Sequence, residues 1–528
     1  MGRATRFGGT DGTDRRGRFD PIIGRRLSIL DGRIGFRESS TSHPDVIIQR
    51  ASSGGIECLT DGRASSFGSV DLVGNLLGSA TFESAHRGGG EDGAEHTFET
   101  YTQARDAGAA AVEVSFWKCA TGQLVCIHDE ALDRTTNATG DVTDRSWFDL
   151  EANVSVDIGA SWNGPSAPAR KIPLLSKVLD ALANRTVVFL EAKSPGATTM
   201  AAVIELLDQY RDVGQWLVWK FYRGTGGELP SHAEIIRDRY GARLWQYCDA
   251  TDSDAVLQRT GEVADAIGLP LSATTDAKFQ TAVATGKPVI VYPIVRRYDA
   301  DRLRALGVQG LMCASWRYLT ADRDKRLFVS DQFDTGIRAP GDVQYSATST
   351  PYLTMSATDG CVTIPAAATS LCLGSISTED PDASYTVSWA MRWPTLPSAT
   401  LHADLVVCQA DDRPYAHQGA ASHSGYHLVI RPILSGGDPT HAGVQLYSHT
   451  LGSGSGTSLG ADNGTAAIVA NTWATFTLAI TATTLTLTRT DVAGTPVVVA
   501  NALYRGGYIY LAAASSDQPV QFKDVVIS

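Results

Sequence analysis

Val112-Glu113-Val114-Ser115-Phe116-Trp117-Lys118-Cys119-Ala120-Thr121-Gly122-Gln123-Leu124-Val125-Cys126-Ile127-His128-Asp129 contains two apolar runs separated by only Lys118 to Gln123. Parallel strands need a crossover of a dozen residues or more, so the second run, Leu124–His128, must return antiparallel as a hairpin arm. Eight further strand candidates surround it: Phe82–His86, Ala111–Phe116, Val187–Lys193, Leu217–Phe221, Arg243–Tyr247, Ala266–Leu271, Pro288–Val295 and Gly310–Ala314. Helix-like stretches fall between them at Thr97–Ala107, Leu175–Leu182, Met200–Tyr210, Ala233–Tyr240 and Asp301–Leu306. With the hairpin arm set aside, the count of eight predicts a (β/α)8 TIM-type barrel over residues 80–327.

On either side the texture changes. At 528 residues the chain is too long for one ordinary domain. Residues 1–79 are rich in Gly, Arg, Ser and Asp, with short apolar pieces such as Val46-Ile47-Ile48, which predicts an arm or small β elements. Residues 328–345 read as a linker. Beyond them, Thr386–Met391, Tyr426–Ile430, Thr475–Ile480 and Leu485–Thr488 alternate with period two between Gly/Asp/Ser turns, predicting an antiparallel β-sandwich over 346–528. The chain is thus multidomain, α/β followed by all-β.

Hydrophobic residues make up 43% and charged residues 19%, enough to build folded cores. A net charge of −12 argues against general nucleic-acid binding, although Arg15, Arg16, Arg18, Arg25 and Arg26 make the first segment locally basic. No apolar stretch approaches the ~18–20 residues that cross a bilayer, and Met1-Gly2-Arg3-Ala4-Thr5-Arg6 leads into polar sequence instead of a signal-peptide core. The eight cysteines include no CxxC pair, which argues against a zinc site and for buried free thiols. Cys119 with Cys126, and Cys361 with Cys372, are the pairings left open.

Barrel enzymes place their chemistry at the C-terminal ends of the strands. His86 ends the first candidate strand; Glu113 and Ser115 lie two apart near the end of the second, and Glu191 and Lys193 repeat that spacing on the next. Lys220 sits near the end of another. Polar groups thus converge on one mouth, where a core would demand apolar side chains. Two histidines and two carboxylates spread over residues 86–128, each closing a short apolar run, are what a metal-assisted acid–base site needs.

The ordered blocks Ala85-His86-Arg87-Gly88, Glu95-His96-Thr97, Glu113-Val114-Ser115, His128-Asp129, Leu132–Asn137, Asp157–Trp162, Lys171–Leu175 and Phe189–Lys193 resemble the glycerophosphodiester phosphodiesterase family over roughly residues 80–327. The resemblance implies His86 and His128 as the acid–base pair, with Arg87 and Lys193 supplying charge and a substrate hydroxyl attacking phosphorus to give a cyclic phosphate. It implies a divalent cation, Ca2+ or Mg2+, at Glu113, at the position of Ser115 and at Glu191. Family members usually carry Asp where this chain has Ser115, and a neutral hydroxyl is a poor ligand for either ion. Weaker affinity, compensation by a water, Glu95 or Asp129, or absence of the metal are the alternatives. The usual Pro-Glu-Asn-Thr is here Ala94-Glu95-His96-Thr97.

Blander readings stand beside these. Alone, His128-Asp129 is a hairpin end with Asp129 capping the loop, and Glu113 and Glu191 are satisfied interior polar groups. Lys220 is either a site residue or a structural partner of Glu191, Asp133 and Arg134 are read as structural hydrogen-bonders, and Trp162 either packs over the mouth or stacks on a sugar. Trp473–Phe476 through Gly507–Leu511 to Val520–Val525 resembles concanavalin-like jelly rolls. A lectin-like tail on a hydrolase barrel, the arginine-rich first segment and the missing signal peptide look similar to bacteriophage tail proteins. That context implies a virion component, a homo-oligomer with a trimer among the options, a teichoic-acid backbone as substrate and glycan binding by the sandwich. The alternatives are a weakened barrel acting as a wall-binding or structural module, and a cytoplasmic or non-classically exported bacterial enzyme of lipid metabolism.

Overall fold

The computed structural model describes residues 70–156 apart from Glu91, residues 170–320, and five strand backbones between 26 and 66. Within 344–528 it describes all but 347–353, 357–358, 365–369, 376–383, 399–400, 414–423, 435–439 and 463. The block Asp157–Trp162, with the Trp162 reading, and residues 328–343 of the expected linker lie outside the described residues. Two compact units divide the chain, Met1–Leu72 and Val73–Ser528. In the first, β1 (Arg26–Leu30), β2 (Arg33–Arg37), β3 (Val46–Arg50), β4 (Ile56–Thr60) and β5 (Arg63–Ser66) form an antiparallel meander in sequence order.

The second unit opens within the helix Leu72–Leu77, from Val73 on, and continues into the closed barrel. Its strands are β6 (Phe82–Ala85), β7 (Ala111–Lys118), β8 (Leu124–Cys126), β9 (Val187–Ala192), β10 (Leu217–Tyr222), β11 (Arg243–Tyr247), β12 (Ala266–Pro270), β13 (Val289–Ile294) and β14 (Gly310–Cys313). All but β8 run parallel, and β6 pairs with both β14 and β7, which closes the ring of eight. β8 pairs antiparallel with β7, Phe116 opposite Cys126 and Lys118 opposite Leu124, the hairpin that the short connection requires. That register leaves Cys119 beyond the paired residues; Cys119, Cys126 and Cys361 are all buried free thiols, so neither pairing left open by the sequence forms.

The five expected helices are present, and two of the longer ones that the sequence did not single out are Asp254–Val263 and Asp276–Val283. The first turns Leu257, Thr260 and Gly261 inward and the second only Phe279 and Ala282, faces too small or too polar to give an apolar period. Both start on N-caps, Ser253 accepting from the Val256 amide and Thr275 from that of Lys278.

Residues 344–527 contribute two seven-stranded antiparallel sheets. Strand Ala474–Ile480 alternates buried and half-buried positions, as its period-two pattern predicts. Val387, Trp389 and Met391 of one sheet share a core with Leu405, Val407, Leu428 and Ile430 of the other, which makes the pair a sandwich. Asp412, on the loop after strand His402–Gln409, joins the sandwich to the barrel: it accepts the Arg297 amide at 2.6 Å, the Tyr298 amide at 2.8 Å and the Tyr318 hydroxyl at 3.0 Å. Asp412 is buried, so Asp412→Ala strands two amides and a hydroxyl. It is expected to destabilise the unit by about 2–4 kcal/mol in denaturant unfolding.

Candidate active site

Parallel register sets the mouth of the barrel. Ser115 on β7 lies beside Glu191 on β9, Glu191 beside Lys220 on β10, and Lys220 beside Trp245 on β11. Ser115, Glu191 and Lys220 therefore form one layer across three strands, with Glu113 one step deeper on the Ser115 face. Trp245, Tyr247 and Tyr292 ring the Lys220 ammonium, with centroids 5.2, 5.1 and 5.6 Å away, favourable for a buried cation.

Lys220 Nζ bridges the two carboxylates, contacting Glu113 Oε1 and lying 2.9 Å from Glu191 Oε2. The sequence left Lys220 open between a site residue and a partner of Glu191; it binds both acids at the centre of the mouth. Glu191 Oε2 also accepts from Ser115 Oγ at 3.2 Å and faces Lys193 Nζ at 3.1 Å, while Oε1 accepts from Tyr247 at 2.9 Å. Burial alone would raise both carboxyl pKa values, yet Lys220, aided by His86 at Glu113 and by Lys193 at Glu191, holds them below the ordinary range. The same carboxylates outweigh burial at Lys220 and raise its pKa, so all three groups stay charged.

His86 enters through a strained turn. Arg87 has φ 55° and is followed by Gly88 at 82° and Gly89 at 91°. A Cβ on Gly88 would sit 3.0 Å from Tyr101 Cδ1 as well as in a left-handed backbone, so the turn needs glycine there. The turn aims the Arg87 amide at Glu113 Oε2, 3.0 Å away, and brings His86 Nε2 within 3.5 Å of the same oxygen.

His128 Nδ1 meets Asp129 Oδ1 at 2.6 Å, and Nε2 lies 2.9 Å from Lys193 Nζ. Because the ammonium can only donate, Nε2 presents its lone pair and Nδ1 carries the proton toward Asp129. Arg134 contacts Asp129 and reaches Glu95 at 3.0 and 2.7 Å, and Arg87 holds Glu95 from the other side with two contacts of 3.1 Å. Arg134, read as a structural hydrogen-bonder, holds Asp129 at the hairpin end and adds Glu95 on the rim, while Asp133 accepts the Gly140 amide. His96 stacks on His128 with ring centroids 6.1 Å apart and bonds Tyr101 at 2.5 Å. Sequence reasoning missed Tyr247, although it stands two residues after Trp245 at a strand end, the spacing already used for Glu113 and Ser115.

Burial lowers the His86 pKa to about 3, against Glu113 and with Arg87 and Lys220, and burial with Lys193 lowers that of His128 to about 4. Below the ordinary value of 6.5 an unfolded chain takes up protons that the folded one refuses. The stability present above that pH is therefore lost as pH falls toward the folded value. His86→Gln is expected to flatten the fall in thermal midpoint between about pH 6.5 and 5, the slope it removes being about 1.4 kcal/mol per pH unit.

A divalent cation at Glu113, Ser115 and Glu191 finds little to bind. The space between the acids holds Lys220 Nζ, the Ser115 hydroxyl donates to Glu191, and Glu113 Oε2 accepts an amide. Glu95 and Asp129 do not compensate, being committed to Arg87 and Arg134. Relative to three carboxylates without a lysine, Ser115 removes one negative charge and Lys220 adds one positive charge, together the charge of the ion. These residues do not fit the expected Ca2+ or Mg2+.

The Glycerophosphoryl diester phosphodiesterase family matches residues 86–315. The glycerophosphodiester phosphodiesterase of Bacillus subtilis is 34% identical over 258 residues, covering 45% of this chain and 85% of that protein. That of Caldanaerobacter subterraneus is 35% identical over 111 residues, 21% of this chain and 44% of that protein. An Oleispira antarctica phosphodiesterase solved with sn-glycerol-3-phosphate superposes with a TM-score of 0.40 at 20% identity, covering 47% of this chain and 97% of that one. With its barrel closed as the strand count requires and a relative at this level matched over most of its length, the chain belongs to the glycerophosphodiester phosphodiesterase family.

Proposed function

We propose that residues 80–327 hydrolyse glycerophosphodiesters with His86 and His128 as the proton-transfer pair. The observation that carries this reading is the contact of His128 Nε2 with Lys193 Nζ at 2.9 Å, with Nδ1 anchored on Asp129. An entering phosphodiester would meet a lone pair beside a cation, and its negative charge raises both imidazole pKa values toward the working range. One imidazole takes the proton of the substrate's free hydroxyl as that oxygen bonds to phosphorus. The bond to the leaving oxygen breaks, the other imidazole protonates it, and the cyclic phosphate is then opened by water.

The family is generally divalent-cation dependent. In this chain Lys193 and Lys220 supply positive charge at the mouth, with Arg87 on its rim, and no step is assigned to a metal. The finer substrate we infer is a polymeric glycerophosphodiester such as a teichoic-acid backbone, with residues 346–528 as a glycan-holding module, in the setting of an oligomeric phage tail protein. No helix among the described residues is long and apolar enough to cross a membrane. Phosphorus NMR of the full chain with glycerophosphoglycerol and with purified teichoic acid tests both levels. Release of glycerol phosphate from either supports the activity, faster release from the polymer supports the finer reading, and release from neither overturns the proposal.

A further inference from the structure

Asp404 turns a single carboxylate oxygen toward two imidazoles in the sandwich. Its Oδ1 lies 2.5 Å from His427 Nε2 and 3.1 Å from His402 Nε2, and all three side chains are buried. In strand His402–Gln409, residues Ala403, Leu405 and Val407 enter the core, so His402 and Asp404 project from the opposite face. Register puts His427 beside Val406 on the next strand, Gly425–Arg431, where Tyr426 and Leu428 enter the core and His427 joins Asp404 on the far face.

One oxygen between two imidazole nitrogens is satisfied by hydrogen bonds only when each ring carries its proton on Nε2. A divalent ion satisfies all three groups without those protons. Their donor atoms lie within 4.8 Å of one another, close enough to contract onto one centre. His427 Nδ1 is 3.2 Å from His449 Nε2, the outer contact that a ligating imidazole makes through its other nitrogen. Two imidazoles and a carboxylate select a borderline ion over Ca2+ or Mg2+.

We propose that His402, Asp404 and His427 form a structural site for a divalent transition-metal ion of the zinc class. The ion pins neighbouring strands on the face of the sheet away from the sandwich core. The site is independent of the phosphodiesterase reading and shares no residue with the barrel mouth.

The test uses the full chain, stripped with a chelator and titrated with Zn2+ and with Co2+. The expected result is about one equivalent bound per chain, with the visible absorption of a low-coordinate Co2+ and a raised thermal midpoint. Asp404→Asn and His427→Gln should lose the ion and the absorption band, whereas Glu113→Gln, in the barrel, should keep both. Should Asp404→Asn not fold, His402→Gln and the wild-type Co2+ spectrum decide the matter. Failure of the wild-type chain to bind either ion, or binding unchanged in the folded variants, would overturn the site and leave a hydrogen-bonded cluster.

Discussion

Turnover of a glycerophosphodiester by the wild-type chain is expected to be unaffected by EDTA and by added Mg2+ or Ca2+, and to fall at least about 100-fold in Lys220→Ala. Lys220 is the only cation that touches both Glu113 and Glu191 among the described residues, and both acids are almost wholly enclosed. Its removal leaves two buried carboxylates without their shared partner, an expected loss of about 3–5 kcal/mol in stability as well. The double variant Lys220→Ala with Ser115→Asp separates charge from folding. It rebuilds three carboxylates around a vacated position, so it should recover turnover that Mg2+ or Ca2+ supports and EDTA abolishes. Inhibition of the wild type by EDTA, reversed by Mg2+ or Ca2+, would sink this account of Lys220.

His128→Ala is expected to slow turnover by about 100- to 10,000-fold with little change in stability, because the ring is partly exposed and its role is proton transfer. Asp129→Asn should cost less, about 10-fold, since the amide can still accept from Nδ1 but no longer offsets developing charge on the ring. The measurement is kcat against KM for the two variants under saturating substrate. A His128→Ala protein that retains wild-type kcat would remove His128 from the proton-transfer pair.

The barrel was legible because its strands are short apolar runs at crossover spacing, and because six residues between Ser115–Trp117 and Leu124 cannot hold a parallel crossover. His86, Glu113, Ser115, Glu191, Lys193 and Lys220 do meet at one mouth, with Arg87, Glu95, His128 and Asp129 on its rim. What escaped was pairing across strands. Nothing in the local sequence of β10 says that Lys220, already read as a partner for Glu191, also reaches Glu113, 107 residues away on β7. Arg134 escaped because its partner Glu95 lies thirty-nine residues away, in the loop before a helix. The His402, Asp404 and His427 cluster was hidden for the same reason, each residue reading alone as an ordinary polar position of a strand.

The layer of Ser115, Glu191 and Lys220 bears on where such a chain can work. A bound ion is borrowed from the surroundings and can be diluted, sequestered or exchanged. A lysine translated with the rest of the chain cannot. An enzyme carrying its cation as a side chain keeps its electrostatics wherever it is folded, in calcium-poor medium as in calcium-rich, and gives up only the option of being switched off by starvation for the ion.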